Sequence, residues 1–201
     1  MAIPKIISAE FSLSVHRPEA LPPGDYPEVA FLGRSNVGKS SLINALLGRR
    51  KLVHTSSTPG RTRALNFFLI NGRWQFVDLP GFGYAAVSRE EKARWGPLVL
   101  HYLEARENLA AVVFLQDGRR RPGEEELYLW EFLQARARRV IPVLTKADKL
   151  KQGERGRQLK AIAQVLAPLG VSPGDFLWFS AQTHEGRGKL WGLLLACLTG
   201  G

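Results

Sequence analysis

Two rhythms of apolar residues run along the chain. Residues 28–33 (EVAFLG), 111–115 and 140–144 are short, nearly unbroken apolar runs, the pattern of strands covered on both faces. Between them, apolar residues recur three and four positions apart. Trp95, Leu98, Val99, Tyr102 and Leu103 predict one helix face, and Leu127, Trp130 and Leu133 a second. Leu159, Ile162, Ala163 and Leu166 predict a third, and Leu190, Leu193, Leu194 and Cys197 a fourth. Residues 40–47 read as a helix ending near Gly48, and 176–179 as a last strand. Residues 65–70 and 74–77 flank Asn71-Gly72, a strong hairpin signal.

Strands alternating with helices predict an α/β fold whose sheet is mostly parallel, with one antiparallel pair at the hairpin. Ligands of such sheets sit beyond the carboxyl ends of the strands. Ahead of residue 28 the pattern changes. Phe11, Leu13 and Val15 alternate with Ser12 and Ser14, as a half-buried edge strand does. Five of the 12 prolines lie in the first 27 residues, and those after Val15 read as an extended connector. The expected organisation is an N-terminal extension over 1–27 and a main domain over 28–201.

Composition narrows the class. Apolar residues make up 45% and charged residues 23%, a globular balance. The longest apolar runs are about six residues, where a membrane span needs roughly 20. The first residues show no secretory pattern. The single cysteine, Cys197, cannot form an internal disulfide, and no Cys/His spacing suits zinc. A cytoplasmic protein without membrane contact, and a monomer, is expected. The net charge of +10 adds an attraction for polyanions, of which nucleic acid is the usual one.

Four motifs fall at the ends of the expected strands. GRSNVGKS (Gly33, Arg34, Ser35, Asn36, Val37, Gly38, Lys39, Ser40) matches the P-loop pattern G-x-x-x-x-G-K-S/T between a strand and a helix. Its backbone N–H groups and the helix N-terminus suit phosphate. Lys39 can reach the β- and γ-phosphates, and the Ser40 hydroxyl can bind Mg²⁺. Asp78, Leu79, Pro80 and Gly81 form D-x-x-G, in which Asp78 supports magnesium through a water and the Gly81 N–H senses the γ-phosphate. Thr145, Lys146, Ala147 and Asp148 follow a third strand. The Asp148 carboxylate can accept from the guanine N1–H and amino group, a pair adenine lacks, and the Lys146 stem can pack over the base. At Phe179, Ser180 and Ala181 a backbone N–H can meet the guanine O6. Alone, the last three are weak signals. Their order after a P-loop makes them a GTPase set on a P-loop NTPase three-layer sandwich. Between the first two motifs, residues 54–68 (HTSSTPGRTRALNFF) have switch-loop composition. Thr55, Thr58 and Thr62 each offer a hydroxyl for Mg²⁺, and chemistry alone does not choose among them.

GRSNVGKSSLIN, STPGRTRALNFF, VDLPGFGYA and TKADKL resemble the EngB family of bacterial ribosome-biogenesis GTPases over essentially the whole chain. The resemblance implies a GTP/GDP-binding protein acting in large ribosomal subunit assembly, with that subunit and its rRNA as partners, and needed for normal septum formation in cell division. It assigns the magnesium hydroxyl to Thr62, and the switch side of the site to Gly60, Arg61, Thr62, Arg63 and Ala64. Thr145 stands where most GTPases have asparagine, a departure the family tolerates; it puts one loop-tethering hydrogen bond in question.

Three further features bear on mechanism. Phe82 follows D-x-x-G where Ras-like GTPases carry a water-orienting glutamine, so slow intrinsic hydrolysis is expected. Asn36 occupies a position where related GTPases bind K⁺ in place of an arginine finger; the alternative is that it only shapes the turn. Arg119, Arg120 and Arg121 are expected in a loop, as an rRNA contact, with Arg49, Arg50 and Lys51 as lesser candidates. Arg136, Arg138 and Arg139 are explained as well by a helix C-terminus. The rival to a working GTPase cycle is a nucleotide-switched RNA-binding factor with negligible turnover.

Overall fold

A computed structural model describes residues 3–53, 64–83 and 89–200, with only the backbone described for 89–95. Among the described residues seven strands form one sheet. They are β1 (Ala9–Val15), β2 (Glu28–Gly33), β3 (Leu65–Ile70), β4 (Trp74–Asp78), β5 (Leu109–Asp117), β6 (Val140–Thr145) and β7 (Leu177–Trp178). Their spatial order is β1-β3-β4-β2-β5-β6-β7. Strand β2 runs parallel to β4 and β5, β5 to β6, and β6 to β7. The β3–β4 hairpin is antiparallel, turning through Asn71 and Gly72 at φ 53° and 63°, as a type I′ turn requires. Strand β1 adds itself antiparallel to the outer side of β3, at the sheet's edge.

Helices cover both faces. They are α1 (Lys39–Leu47), α2 (Arg89–Ala105), α3 (Glu124–Ala135), α4 (Gln152–Leu166) and α5 (Arg187–Leu198). Every residue of β2 is buried, and its side chains divide by period two. Val29 and Phe31 pack with α1 and α5 through Leu42, Leu46, Trp191 and Leu194. Ala30 and Leu32 pack with α2, α3 and α4 through Leu98, Tyr102, Leu133 and Ile162. Two hydrophobic cores on one sheet give the expected three-layer sandwich.

Two local expectations fail for identifiable reasons. Phe11 is 54% exposed rather than half-buried. The register of β1 slips between Phe11 and Leu13, which oppose the adjacent Phe68 and Phe67, so the alternation breaks there. In α5 Leu193 is exposed, and Trp191 takes its place in the core. The indole reaches across to donate to the Leu46 carbonyl at the end of α1 at 3.0 Å. That bond lets a tryptophan be buried without an unpaired N–H.

The non-ligand end of β2 carries a buried charge cluster. Glu28 is fully buried at the first position of the strand. Its Oε2 accepts from the Tyr102 hydroxyl at 2.8 Å and from Arg106 Nε at 3.0 Å, and its Oε1 from Arg106 Nη2 at 2.6 Å. Arg106 also donates to the Pro22 and Pro23 carbonyls at 2.7 and 3.2 Å, fastening the proline connector. Burial first, and the Glu28 carboxylate second, push the Tyr102 hydroxyl well above its ordinary pKa. Arg138 donates to the Leu103 and Glu104 carbonyls at 2.7 and 2.5 Å, so it serves the end of α2. Arg136 pairs with Glu104 at 2.8 Å. Removing one partner of a buried ion pair costs about 3–5 kcal/mol, because the other charge is left stranded. Arg106→Ala should lower the unfolding free energy by that order in urea denaturation. Phe11→Ser, at an exposed edge position, should change it by no more than about 0.5 kcal/mol.

Candidate functional site

At the other end of β2 the chain turns through residues 34–38 into α1. Asn36 and Gly38 both take positive φ, at 62° and 102°. Asparagine tolerates the first value, and the second suits only glycine. Gly38 caps α1 with no side-chain hydrogen bond to the first turn. A helix N-terminus without a capping side chain offers its N–H groups and dipole to an anion.

Strand β4 ends beside it. Asp78 and Lys39 are 2% and 8% exposed and form an ion pair. The loop after Asp78 is laced to the P-loop. Ser35 N–H donates to the Phe82 carbonyl at 2.9 Å, and Phe82 N–H to the Gly33 carbonyl at 3.4 Å. A β-carbon on Gly81 would stand 3.0 Å from the Ser35 backbone, so the close approach needs glycine. The Phe82 side chain is 2% exposed, with its ring 6.3 Å from Phe114. Leu79 and Pro80 are buried.

The ends of β6 and β7 close the other side. Thr145 Oγ1 donates to the Val37 carbonyl at 2.6 Å, so a hydroxyl supplies the loop tether that the missing asparagine put in question. Lys146 sits at φ 60° and donates from Nζ to the Asn36 carbonyl at 2.7 Å. Ala147 N–H donates to the Phe179 carbonyl at 3.1 Å, joining the two loops. Ser180 is fully buried, and its hydroxyl donates to Asp148 Oδ1 at 2.8 Å. Burial works to raise the Asp148 carboxyl. Hydrogen bonds from Ser180 and Lys149 outweigh it and hold the group below the usual carboxylate range. Ala181 is half-buried at the rim.

Asp117, Glu126, Arg155 and Glu185, which the motifs did not single out, join the cluster. Asp117 ends β5 as Asp78 ends β4, and that position at a strand end was the signal that could have found it. It accepts from Arg119 Nε and Nη2 at 2.9 and 2.8 Å and lies 3.0 Å from Lys146 Nζ. Burial raises its carboxyl, but the bonds from Arg119 and then Lys146 prevail and lower it to about 2. Arg34 donates to the Gly83 carbonyl at 3.1 Å and lies 3.5 Å from Glu126 of α3. Arg155 of α4 bonds the Ala147 carbonyl and both oxygens of Glu185, so it binds the β6 and β7 loops together. A cleft of about 370 Å³ opens beside the P-loop, lined by Arg34, Asn36, Asp117, Arg120, Arg121 and Lys146 among others.

The structure thus brings 33–40, 78–81, 145–148 and 179–181 to one edge of the sheet. Ala64 is buried just ahead of β3. Gly60, Arg61, Thr62 and Arg63, with Thr55 and Thr58, lie outside the described residues. Among the described residues no group of three or more His, Cys, Asp or Glu side chains could hold a metal ion. Ser40 and Asp78 are instead hard oxygen donors at a phosphate-type loop. That set fits Mg²⁺, which takes one or two protein ligands and fills its shell with water and phosphate oxygens. Thr145→Val keeps the shape and removes the donor to Val37. Stranding a buried carbonyl costs about 1–3 kcal/mol, so the variant should lose that much stability, read as a drop in urea midpoint.

Comparison with known proteins gives a consistent answer. A family model described as 50S ribosome-binding GTPase matches residues 28–146. The curated "Probable GTP-binding protein EngB" of Geobacter sulfurreducens is 49% identical over 98% of this chain and 94% of its own length. Its namesake in Syntrophotalea carbinolica is 53% identical over 91% of this chain and 87% of that protein. The Bacillus subtilis protein of the same name is 41% identical over 94% and 96%. Among solved structures, a protein described as a probable GTP-binding protein engB superimposes with a TM-score of 0.70. The two are 25% identical over 86% of this chain and 98% of that one. Era solved with MgGDPNP and a piece of 16S ribosomal RNA superimposes at 0.65. It is 27% identical over 88% of this chain and 58% of Era. Near-full-length identity at this level, on the same sheet and the same strand-end loops, means that this chain belongs to the EngB family of GTP-binding proteins and is a GTPase.

Proposed function

We propose that GTP or GDP sits with Mg²⁺ across the four interlocked loops, and that the γ-phosphate switches the chain during assembly of the large ribosomal subunit. The observation that carries the site is the mutual lacing: Thr145 to Val37, Lys146 to Asn36, Ser35 to Phe82 and Ser180 to Asp148. Such bonds preorganise backbone donors before a ligand arrives. In this reading residues 33–38 wrap the phosphates and Lys39 contacts the outer two. Ser40 and Thr62 ligate Mg²⁺, with Asp78 behind a water, and the ion neutralises phosphate charge when bound. Gly60, Arg61, Arg63 and Ala64 line the switch side, Gly81 reports the γ-phosphate, and Leu79 and Pro80 shape that turn. Asp148 and the Lys146 stem read and cover guanine. Ala147, Phe179 and Ser180 hold Asp148, and the Ala181 N–H faces the O6.

Phe82 supports slow intrinsic turnover. A ring buried against Phe114 can neither orient water nor stabilise charge. The help must come from elsewhere, and K⁺ at Asn36 or the ribosomal partner are the proposed sources. The positive φ of Asn36 favours a role in shaping the turn as well. GTP turnover that is equal in KCl and NaCl would remove K⁺ from this account. The nucleotide-switched binding factor with negligible turnover of its own remains the second reading, and the buried Phe82 favours it too.

The partner rests on the family description, on a related fold solved with rRNA, and on the net charge of +10. Arg120 and Arg121 are exposed in the loop after β5, and no described residue pairs with either side chain. Action in the cytoplasm as a monomer, and a septation defect on depletion, complete the proposal. No described helix is long and apolar enough to cross a membrane.

Two measurements test it. Asp148→Asn offers an amide donor where a carboxylate stood, so it should weaken GDP binding by about 100-fold or more and gain xanthosine diphosphate. Unchanged guanine preference would place base recognition elsewhere. Wild-type chain should bind isolated large subunits with GTP-analogue dependence, and neutralising Arg120 and Arg121 together should lower the slope of affinity against salt by about two. An unchanged slope would exclude that loop from the contact.

A further inference from the structure

We infer that Asp117 is a positioning residue of the nucleotide site, acting through Lys146 to fix both the base-side loop and the P-loop. The inference rests on the proposed placement of the nucleotide. Asp117 closes a chain of contacts that runs across the strand ends. Its Oδ2 is shared by Arg119 Nη2 at 2.8 Å and Lys146 Nζ at 3.0 Å. The same Lys146 ammonium donates to the Asn36 carbonyl at 2.7 Å. Lys146 is thus held at its tip by one carboxylate and one P-loop carbonyl, while its backbone is pinned at φ 60°. A lysine stem can lie flat over a base only if the long side chain is prevented from swinging into solvent. Restraining it beforehand saves part of its rotamer entropy on binding.

The geometry separates this role from simple ordering of the 117–121 turn. That turn has its own bonds. Arg120 N–H donates to the Asp117 carbonyl at 3.0 Å, and Gln116 Nε2 donates to the Arg120 carbonyl at 2.9 Å. Gly118 N–H donates to the Thr145 carbonyl at 3.1 Å. None of these uses the Asp117 carboxylate; the turn bond that does, Arg119 N–H to Asp117 Oδ1 at 3.1 Å, falls on the other oxygen from Lys146, and the Oδ1 of an asparagine at 117 can still accept it. The Arg119 guanidinium competes with Lys146 for Asp117 Oδ2, so losing that side chain leaves Oδ2 to the lysine, while the residue-119 N–H stays on Oδ1. Two substitutions in the same turn should therefore act in opposite ways. The low pKa of Asp117, about 2, keeps it charged throughout the working range.

The test is binding of a fluorescent mant-GDP and a mant-GTP analogue to the full chain, with GTP turnover measured alongside. A hydrogen bond to a charged group lost on the protein side typically weakens binding about 10- to 100-fold. Asp117→Asn should raise both dissociation constants by a common factor in that range. KM should rise by the same factor, with kcat kept within about twofold, since the lost contact is uniform to ground and transition states. Arg119→Ala should leave affinity unchanged or tighten it. On a Lys146→Met background, Asp117→Asn should add no further loss. Equal damage from Arg119→Ala and Asp117→Asn, or additive losses in the double variant, would overturn the inference and assign Asp117 to turn structure alone. Asp148→Asn measured in parallel separates the two levels. Altered base preference there with unaltered affinity in Asp117→Asn would sink this inference and leave the nucleotide site standing. Unaltered preference in Asp148→Asn would sink the site itself.

Discussion

Burial of β2 on both faces is the constraint on which the rest of the molecule depends. A strand with every residue covered cannot satisfy polar side chains along its length. Polar chemistry is therefore driven to its two ends. One end is Glu28, fully buried, and the other is the loop that begins at Gly33. The flanking strands follow the same logic. Asp78, Asp117 and Thr145 each terminate a buried strand at the same edge as Gly33. The site is where a two-sided sheet can place its polar groups, which is why four motifs far apart in sequence arrive together.

Within that edge, side chains and backbone divide the labour. Backbone bonds join neighbouring loops in pairs, Ser35 with Phe82 and Ala147 with Phe179. Side chains span between the pairs, Thr145 and Lys146 reaching the P-loop, while Arg155 reinforces the second pair by tying the β6 loop to the β7 loop. The Thr145 hydroxyl has one proton to give, where an asparagine amide would have two. It spends it on Val37 at 2.6 Å, so the tether that matters to the P-loop persists despite the substitution.

Much of this was legible in the sequence because periodicity and strand-end motifs are local signals. The nearly unbroken apolar run of 28–33, the Asn71-Gly72 turn and the Gly33 and Asp78 loops needed no tertiary information. What failed was set by partners distant in sequence. Phe11 lost its alternation to a slip in register against β3, which no pattern within 9–15 announces. Trp191 displaced Leu193 from the core because Leu46, 145 residues away, offers its indole an acceptor. Asp117 had only its strand-end position to mark it, because D-G-R is not a motif in itself. Its meaning comes from Lys146, which arrives from the next strand.

The two buried charge clusters at the ends of β2 differ in how completely they are satisfied, and the difference matches their roles. Glu28 has both oxygens filled by donors fixed in the fold, Tyr102 and the fork of Arg106. Nothing is left for a ligand, and opening it costs a stranded charge. Lys39 is almost as deeply buried, yet among the described residues its three donors find only Asp78. A desolvated ammonium with donors to spare favours a further anion. An anion arriving at the uncapped N-terminus of α1 would meet that ammonium and the helix dipole together. Asp78 meanwhile keeps Lys39 paired inside the fold. One end of β2 is closed chemistry that fastens the proline connector and α2. The other is open chemistry, held ready by a single carboxylate that a phosphate and its metal ion can share.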